Sequence, residues 1–260
     1  MTRVAALYDI HGNLPALEAV LADVGAAGVD EIIVGGDVVP GPMPRETLAA
    51  LRELDVPVRH VMGNGDREVL ASRRGVESTA VPEAFREAMR WNARQLRDED
   101  EQRLASWPAT LTVSIPGIGD VLFCHATPRN DTDIFTRDTP EAPLLKLFAG
   151  VDASIVVCGH THMPFDRVVG ATRVVNAGSV GMPYEREPGA YWLRLGPGVE
   201  LRRTAFDTAA ATEAFRALGY PDADGMTAAV DPDEVAARFE AAADAPLPPE
   251  SLTGHRRRAG

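Results

Sequence analysis

The chain has little cysteine, no excess of positive charge and no long apolar run, and each shortage closes off a class of protein. Two cysteines in 260 residues are too few for a disulfide-stapled fold. Both end apolar runs, Cys124 just before His125 and Cys158 two residues before His160, so buried reduced thiols are expected rather than a disulfide. Lys and Arg number 26 against 38 Asp and Glu, giving a formal net charge of -12. A surface of that sign does not grip a phosphate backbone, which needs clustered Lys and Arg, so general nucleic-acid binding is not expected. A small anionic substrate would then need a local positive centre. No stretch is long enough to span a bilayer, and the first residues lack the basic region, apolar run and cleavage site of a secretory signal. A cytoplasmic location without a membrane partner is the expectation. No internal repeat is evident.

Hydrophobic residues make up 45% of the chain, enough for a sizeable core in one large domain or two small ones. Val4 to Tyr8 reads as a short buried strand and Leu14 to Val24 as a helix, with Asn13 as its cap and Pro15 in its first turn. Glu31 to Val34, Pro44 to Leu54 and Val58 to Met62 continue as strand, helix and strand. This alternation implies parallel pairs joined by crossover helices. From Arg67 to about Trp107 the pattern is helical and polar, as in an insertion beside a site. Leu111 to Ile115 and Val121 to Cys124 bracket Pro116-Gly117-Ile118-Gly119-Asp120 and predict a hairpin. A helix near Ala142 to Phe148 is followed by strands at Ser154 to Val157, Phe165 to Val169, Arg173 to Val175, Tyr191 to Leu195 and Val199 to Thr204. Two packed sheets covered by helices are expected. Ala-rich amphipathic segments at Thr208 to Leu218 and Asp233 to Ala243 then lead to a Pro-rich stretch and Arg256-Arg257-Arg258, read as helical decoration fading into a flexible end.

Short segments at the ends of these apolar runs carry metal-ligand chemistry. Asp9-Ile10-His11 can reach one ion from a single turn. Asp37, after Gly35-Gly36, has two carboxylate oxygens and can bridge two cations, or simply cap a turn. Asn64, in Gly63-Asn64-Gly65-Asp66, offers a neutral hard oxygen, although Asn-Gly also forms ordinary turns. His125 and the His160/His162 pair of Gly159-His160-Thr161-His162 offer imidazole nitrogen, suited to Mn, Fe, Co, Ni or Zn rather than Mg or Ca. Two adjacent divalent ions need about seven protein ligands, and this set supplies them. His60, inside a strand beside Arg59, is read as structural, and His255 belongs to the tail.

Taken in order, Asp-x-His, Gly-Gly-Asp, Gly-Asn-x-Asp, an apolar strand ending in His, and Gly-His-Thr-His resemble the calcineurin-like metallophosphoesterase family. The resemblance covers roughly residues 3 to 204. Gly36-Asp37-Val38-Val39-Pro40-Gly41-Pro42, His125-Ala126-Thr127-Pro128-Arg129 and Asn176-Ala177-Gly178-Ser179-Val180-Gly181 are similar to its small bacterial and archaeal branch. It implies an α/β fold, a four-layer αββα sandwich with two central mixed β-sheets, a helical insertion and C-terminal helical decoration. Residues 1–206 would form the phosphoesterase domain and 207–260 an extension packed on it or trailing from it. One ion would take Asp9, His11 and His162, the other Asn64, His125 and His160, with Asp37 bridging. Mn is the favoured metal. A homodimer is a further expectation.

The reaction implied is hydrolysis of a small phosphate ester, monoester or diester, by in-line attack of a hydroxide held between two ions, with charge on the nonbridging oxygens compensated by the metals. Many family members carry His directly after the ligand Asn, where it assists the leaving group. This chain has Gly65 instead. Substrates with good leaving groups, such as pyrophosphate linkages, aryl phosphates and some phosphodiesters, are therefore expected, or else another proton donor. Asp66 is expected to orient the Asn64 loop, with a simple turn hydrogen bond as the alternative. Arg67 and Arg129 are candidates to grip substrate phosphate, with surface salt bridges as the alternative. Asn176 and Ser179 would support the His160/His162 segment, while Tyr184 and Arg186 would line a substrate rim. Competing readings are a nucleotide or dinucleoside polyphosphate hydrolase of the same fold, a metallohydrolase acting on an amide or lactone, and an inactive metal-stabilised binding protein.

Overall fold

Apolar residues run through both faces of the first strands, which is the pattern of a sheet covered on each side. In the computed structural model, which describes residues 2–78 and 81–243, β1 (Val4–Leu7) is buried at all its positions. It leads to α1 (Leu14–Ala26), β2 (Glu31–Val34), α2 (Pro44–Arg52) and β3 (Val58–His60). β1 pairs in parallel with β2, and β2 with β3. β9 (Ala190–Leu195) and β10 (Val199–Thr204) complete this first sheet on the other side of β1, in the order β10-β9-β1-β2-β3. The second sheet holds β4 (Thr110–Ile115), β5 (Gly119–Cys124), β6 (Ile155–Cys158), β7 (Phe165–Val169) and β8 (Thr172–Asn176), in the order β4-β5-β6-β8-β7. β4 and β5 form the expected antiparallel hairpin, and β5, β6 and β8 run parallel.

Alternating side chains sort into layers. Val4, Ala6, Tyr8 and Ile33 from the first sheet meet Val121, Phe123, Val157 and Val175 from the second in one fully interior cluster. The opposite faces of the same strands turn outward: Ala5, Leu7, Ile32 and Val34 pack under Leu17, Val20, Leu48 and Leu51 of α1 and α2. Beyond the second sheet, Val156 and Val174 pack with Leu144 and Phe148 at α6 (Glu141–Leu147). The result is the expected four-layer αββα sandwich, with its outer layer over the second sheet reduced to this short helix and nearby loops. Cys124 and Cys158 are buried free thiols, and burial raises both above the usual thiol range.

The helical insertion consists of α3 (Asn64–Arg73), α4 (Glu83–Gln95) and α5 (Asp98–Ala105). It begins earlier than the sequence pattern suggested. Gly63-Asn64-Gly65-Asp66 reads locally as a turn, yet the Asp66 carboxylate accepts the Gly63 N–H at 3.1 Å, which converts that turn into the first turn of a helix. Arg73 ties the three helices together, donating to Glu101 at 2.9 Å, Asp98 at 2.6 Å and the Leu96 carbonyl at 2.6 Å.

After β10 come α7 (Thr208–Ala217) and α8 (Pro232–Ala243). Ala211, Phe215, Tyr220, Ala223 and Met226 of this extension pack with Ala88 of α4 and against Met43, Trp91 and Met182. Ion pairs from Arg186 to Asp231 and Asp233, at 2.8 Å each, fix the start of α8. The extension is therefore folded onto the sandwich through residue 243. The Pro-rich stretch, His255 and Arg256-Arg257-Arg258 lie outside the described residues.

Candidate metal centre

Each expected ligand sits just past the C-terminal end of a strand that pairs in parallel. Asp9 and His11 follow β1, Asp37 follows β2, Asn64 follows β3, His125 follows β5, and His160 and His162 follow β6. Strands of both sheets thus deliver side chains to one crevice at their carboxyl ends, where open α/β sheets place ligands. Backbone hydrogen bonds lock the loops to each other: Asp9 N–H to Gly36 O at 3.1 Å, His11 N–H to Asp37 O at 2.9 Å, and Gly159 N–H to His125 O at 2.9 Å.

These loops hold a costly conformation. Among the described residues, the non-glycine positions with positive φ are Asp9 (51°), His11 (49°), Asp37 (53°), His160 (68°) and His162 (58°). All are expected ligands. Left-handed backbone costs a non-glycine residue on the order of 1 kcal/mol or more and collects at functional sites.

The ring orientations show what the crevice presents. His11 Nδ1 lies 2.8 Å from the Pro40 carbonyl, His125 Nδ1 2.9 Å from the Gly35 carbonyl, and His162 Nδ1 2.7 Å from the Met182 carbonyl. A carbonyl only accepts, so each Nδ1 carries the proton and each Nε2 turns a lone pair into the crevice. His11 Nε2 and His162 Nε2 face each other at 3.1 Å, a contact of two acceptors. The Asn64 amide oxygen meets more of the same, with His125 Nε2 at 3.0 Å, His160 Nδ1 at 2.9 Å and the Asp131 carbonyl at 3.2 Å. Reversing the amide would turn those contacts into hydrogen bonds, whereas a cation suits the amide as it stands. Asp9 Oδ1 is buried without any hydrogen-bond partner, 3.4 Å from His162 Nε2 and 3.8 Å from His125 Nε2.

Asp37 spans the two halves of this acceptor cluster. Its Oδ2 is 3.9 Å from His11 Nε2 and its Oδ1 3.6 Å from His125 Nε2. The ligand atoms of Asp9, His11 and His162 lie within 4.8 Å of one another, as do those of Asp9, Asp37 and His125. A site rich in lone pairs and poor in donors fits divalent cations bound by N and O.

Electrostatics divides the rings: burial would lower His125, but the Asp37 and Asp9 carboxylates outweigh it and raise this imidazole above its usual value. Burial, then His162, pushes His11 below the usual imidazole range, and burial, then His125, brings His160 down to about 4. Both rings stay neutral at pH 7, as ligands must. Burial alone would raise Asp9, but His162, His125 and His11 hold its carboxyl well below the ordinary carboxylate range.

Asp66 is the main support of the bridging loop. Its Oδ2 accepts the Asp37 N–H at 2.8 Å and the Gly63 N–H at 3.1 Å, while its Oδ1 accepts from Val38 at 2.9 Å and Val39 at 3.1 Å. The expected loop-orienting role thus reaches further than the Asn64 loop. Ser179 Oγ donates to the Asp9 carbonyl at 2.7 Å, and Asn176 Nδ2 to the Gly159 carbonyl at 2.7 Å, so both support ligand segments as the sequence suggested.

The two arginines named as phosphate candidates are both engaged by carboxylates. Arg67 forks onto Asp131 at 2.7 and 3.1 Å and also meets Glu68 at 2.6 Å. Arg129 forks onto Asp133 at 2.6 and 2.8 Å. Both guanidiniums brace the loop after His125, which is the salt-bridge alternative. Tyr184 stacks on His162 with ring centroids 4.9 Å apart, whereas Arg186 holds α8.

The family profile described as Calcineurin-like phosphoesterase superfamily domain matches residues 2–194. The chain belongs to this superfamily. Among the relatives of this chain, an uncharacterized protein of Methanocaldococcus jannaschii is 32% identical over 164 residues, covering 62% of this chain and 63% of the relative. The match therefore spans less than two thirds of that relative's length. A metallophosphoesterase from Sphaerobacter thermophilus is 29% identical with a TM-score of 0.68, covering 86% of this chain and 98% of that one. A hypothetical protein from Pyrococcus horikoshii shares the fold at a TM-score of 0.75 and 21% identity, covering 92% and 98%. The superfamily match ends before α7 and α8, so the extension packed on the sandwich lies outside it.

Four contributors escaped sequence reading. Pro40, Gly35 and Met182 act through carbonyls, which no side-chain motif announces. Asn92, buried in α4, accepts the Gly41 N–H at 3.1 Å, and its only trace in the sequence is a poor helix former among Trp91, Ala93 and Arg94.

Proposed function

We propose that this chain is a dinuclear metal-dependent phosphoesterase acting on a small phosphate ester. The observation that carries it is the acceptor-only crevice: imidazole lone pairs 3.1 Å apart, an orphaned Asp9 oxygen and an amide oxygen aimed at acceptors. Asp9, His11 and His162 would hold one ion and Asn64, His125 and His160 the other, with Asp37 shared. Such ions supply Lewis acidity toward phosphate oxygens and activation of water at neutral pH. In a chain of net charge -12 they would also provide the local positive field that an anionic substrate needs. Mn is the metal we favour, and the cytoplasm the compartment.

The residues around the ions set the substrate class. An added Cβ at Gly65 would fall 2.5 Å from Pro40 Cγ, so the place where relatives of this kind carry an acidic His is filled by Pro40. Leaving-group protonation then rests with solvent, which favours esters whose leaving groups depart as stable anions, such as aryl phosphates, pyrophosphate linkages and some diesters. Nucleotide and dinucleoside polyphosphates fall in that class. The Gly65 N–H is itself occupied, donating to Asp37 Oδ1 at 2.7 Å, and thereby orients the shared carboxylate. The same glycine motivates the second reading, a metal-binding protein without turnover.

The test is hydrolysis of an aryl phosphomonoester and an aryl phosphodiester by metal-stripped protein resupplied separately with Mn, Ni, Co, Zn and Mg. Metal-restored turnover, abolished with folding intact in Asp37→Asn, is the expected result. Two ions bound with no turnover of either ester would replace the hydrolase by the binding protein.

A further inference from the structure

The bridging loop between β2 and α2 hangs from the helical insertion by side chains. Asp66 of α3 accepts the N–H groups of Asp37, Val38 and Val39. Pro40 has no N–H to place. The next donor, the Gly41 N–H, goes to Asn92 Oδ1 at 3.1 Å. Asn92 is fully buried in α4, and its Nδ2 donates to the Ala88 carbonyl at 2.9 Å, one helical turn back, so both ends of its amide are fixed.

The Gly41 N–H and the Pro40 carbonyl belong to one peptide unit, and the bond is trans, since the single cis peptide among the described residues is Gly196-Pro197. In a trans peptide the N–H and C=O point in opposite directions. One side of this plane is therefore held by Asn92, while the other offers its oxygen to His11 Nδ1 at 2.8 Å. A continuous chain results: Asn92 Oδ1, the 40–41 peptide and the His11 imidazole, whose Nε2 enters the crevice. Hydrogen bonds in series through a buried amide polarise one another, and a carbonyl at the far nitrogen of a ligand imidazole fixes its tautomer and raises its basicity. The plane has little freedom to turn by other means. A Cβ on Gly41 would fall 1.6 Å from the His11 carbonyl oxygen, so the two loops already touch backbone to backbone.

We propose that Asn92 is a positioning residue for the metal centre: by holding the 40–41 peptide plane it keeps His11 as the Nδ1–H tautomer with Nε2 free for an ion. This gives the insertion a task at the site that its distance in sequence conceals. The inference rests on the metal-binding reading above, but its first readout needs neither metal nor turnover.

That readout is the nitrogen-15 NMR spectrum of the imidazoles in metal-free, full-length protein. Wild type is expected to show His11 protonated on Nδ1. Asn92→Leu, which keeps bulk without an acceptor, and Asn92→Ala should shift His11 toward the other tautomer or a mixture. Calorimetric titration with Mn should then show affinity at one of two sites lowered about 10–100-fold, with the other site little changed. Asn92→Asp keeps an acceptor at the same reach and should restore both tautomer and affinity. The proposal is overturned by wild-type His11 protonated on Nε2, by a folded Asn92→Leu with unchanged tautomer and Mn affinity, or by a folded Asn92→Asp as impaired as Asn92→Leu. Should the Leu and Ala variants fail to fold, the wild-type spectrum and Asn92→Asp still decide. Wild-type protein that binds no Mn would sink the metal reading while leaving the tautomer result intact.

Discussion

A left-handed backbone at Asp9, His11, Asp37, His160 and His162 costs each residue on the order of 1 kcal/mol or more, and the fold tolerates it because the loops carrying them are bonded to each other. The tolerance leaves no slack nearby. Gly65 illustrates this: its missing side chain admits both Pro40 Cγ, 2.5 Å from an ideal Cβ, and the Asp37 carboxylate, 3.0 Å away. Restoring the family histidine should therefore do harm. Gly65→His is expected to lose about 1–3 kcal/mol of stability by overpacking, read from the midpoint of a urea transition, and to gain no turnover on alkyl phosphates. A variant as stable as wild type that hydrolyses alkyl esters faster would mean that Pro40 yields, and that the absence of an acid is an accident of one side chain.

Elements carry constraints that single residues do not. β3 is an edge strand of the first sheet, and His60 at its end stacks on Trp107, beyond α5, with ring centroids 4.5 Å apart and planes 13° from parallel. Burial, then the Arg103 charge, brings His60 down to about 4 from the usual imidazole value. A depressed imidazole stays neutral in the fold after the unfolded chain has taken up its proton, near pH 6.5. Stability should hence decline as pH falls from about 6.5 toward 4 and show no contribution from this ring above that window. His60→Phe keeps an aromatic face against Trp107, and the difference between its denaturation curves and those of wild type should shrink the loss within the window. Equal losses in both proteins would assign the acid sensitivity elsewhere, for example to the buried carboxylates. The strands, the hairpin and both C-terminal helices were legible in the sequence because apolar periodicity and turn residues are local signals. The start of α3 at Asn64 was not, because a Gly-Asn-Gly turn becomes a helix only through the Asp66 carboxylate. The partners of Arg67 and Arg129 were hidden for a related reason: a guanidinium after a ligand motif looks free until the fold brings Asp131 and Asp133 beside it.

At the scale of the whole molecule, the candidate metal centre joins parts that lie far apart in the chain. Asp9 opens the chain's first loop and His162 lies beyond the sixth strand, yet they sit 3.4 Å apart, between two sheets that meet in the apolar cluster around Tyr8 and Phe123, where the Tyr8 hydroxyl also donates to the Val157 carbonyl at 2.9 Å. The ligand motifs made this convergence legible in the sequence, since each followed a strand; the Asn92 support did not show, because its partner is a backbone amide 51 residues away. An ion that binds only the assembled crevice must stabilise the assembled state. At a free Mn concentration about 100 times the dissociation constant, each site adds roughly 2.7 kcal/mol. For a chain of this size that is a rise in midpoint temperature of about 5–10 °C per ion, with saturation following the ligand set. Asp9→Asn, which removes the carboxylate shared by both close triads of ligand atoms, should abolish most of the rise and also lower the metal-free midpoint at neutral pH, because the imidazoles that hold the Asp9 carboxyl below its ordinary range lose their ionised partner. Scanning calorimetry of metal-free wild type and Asp9→Asn across a Mn titration checks both halves. A wild-type midpoint indifferent to Mn, or an equal rise in the variant, would place any bound ion outside this crevice.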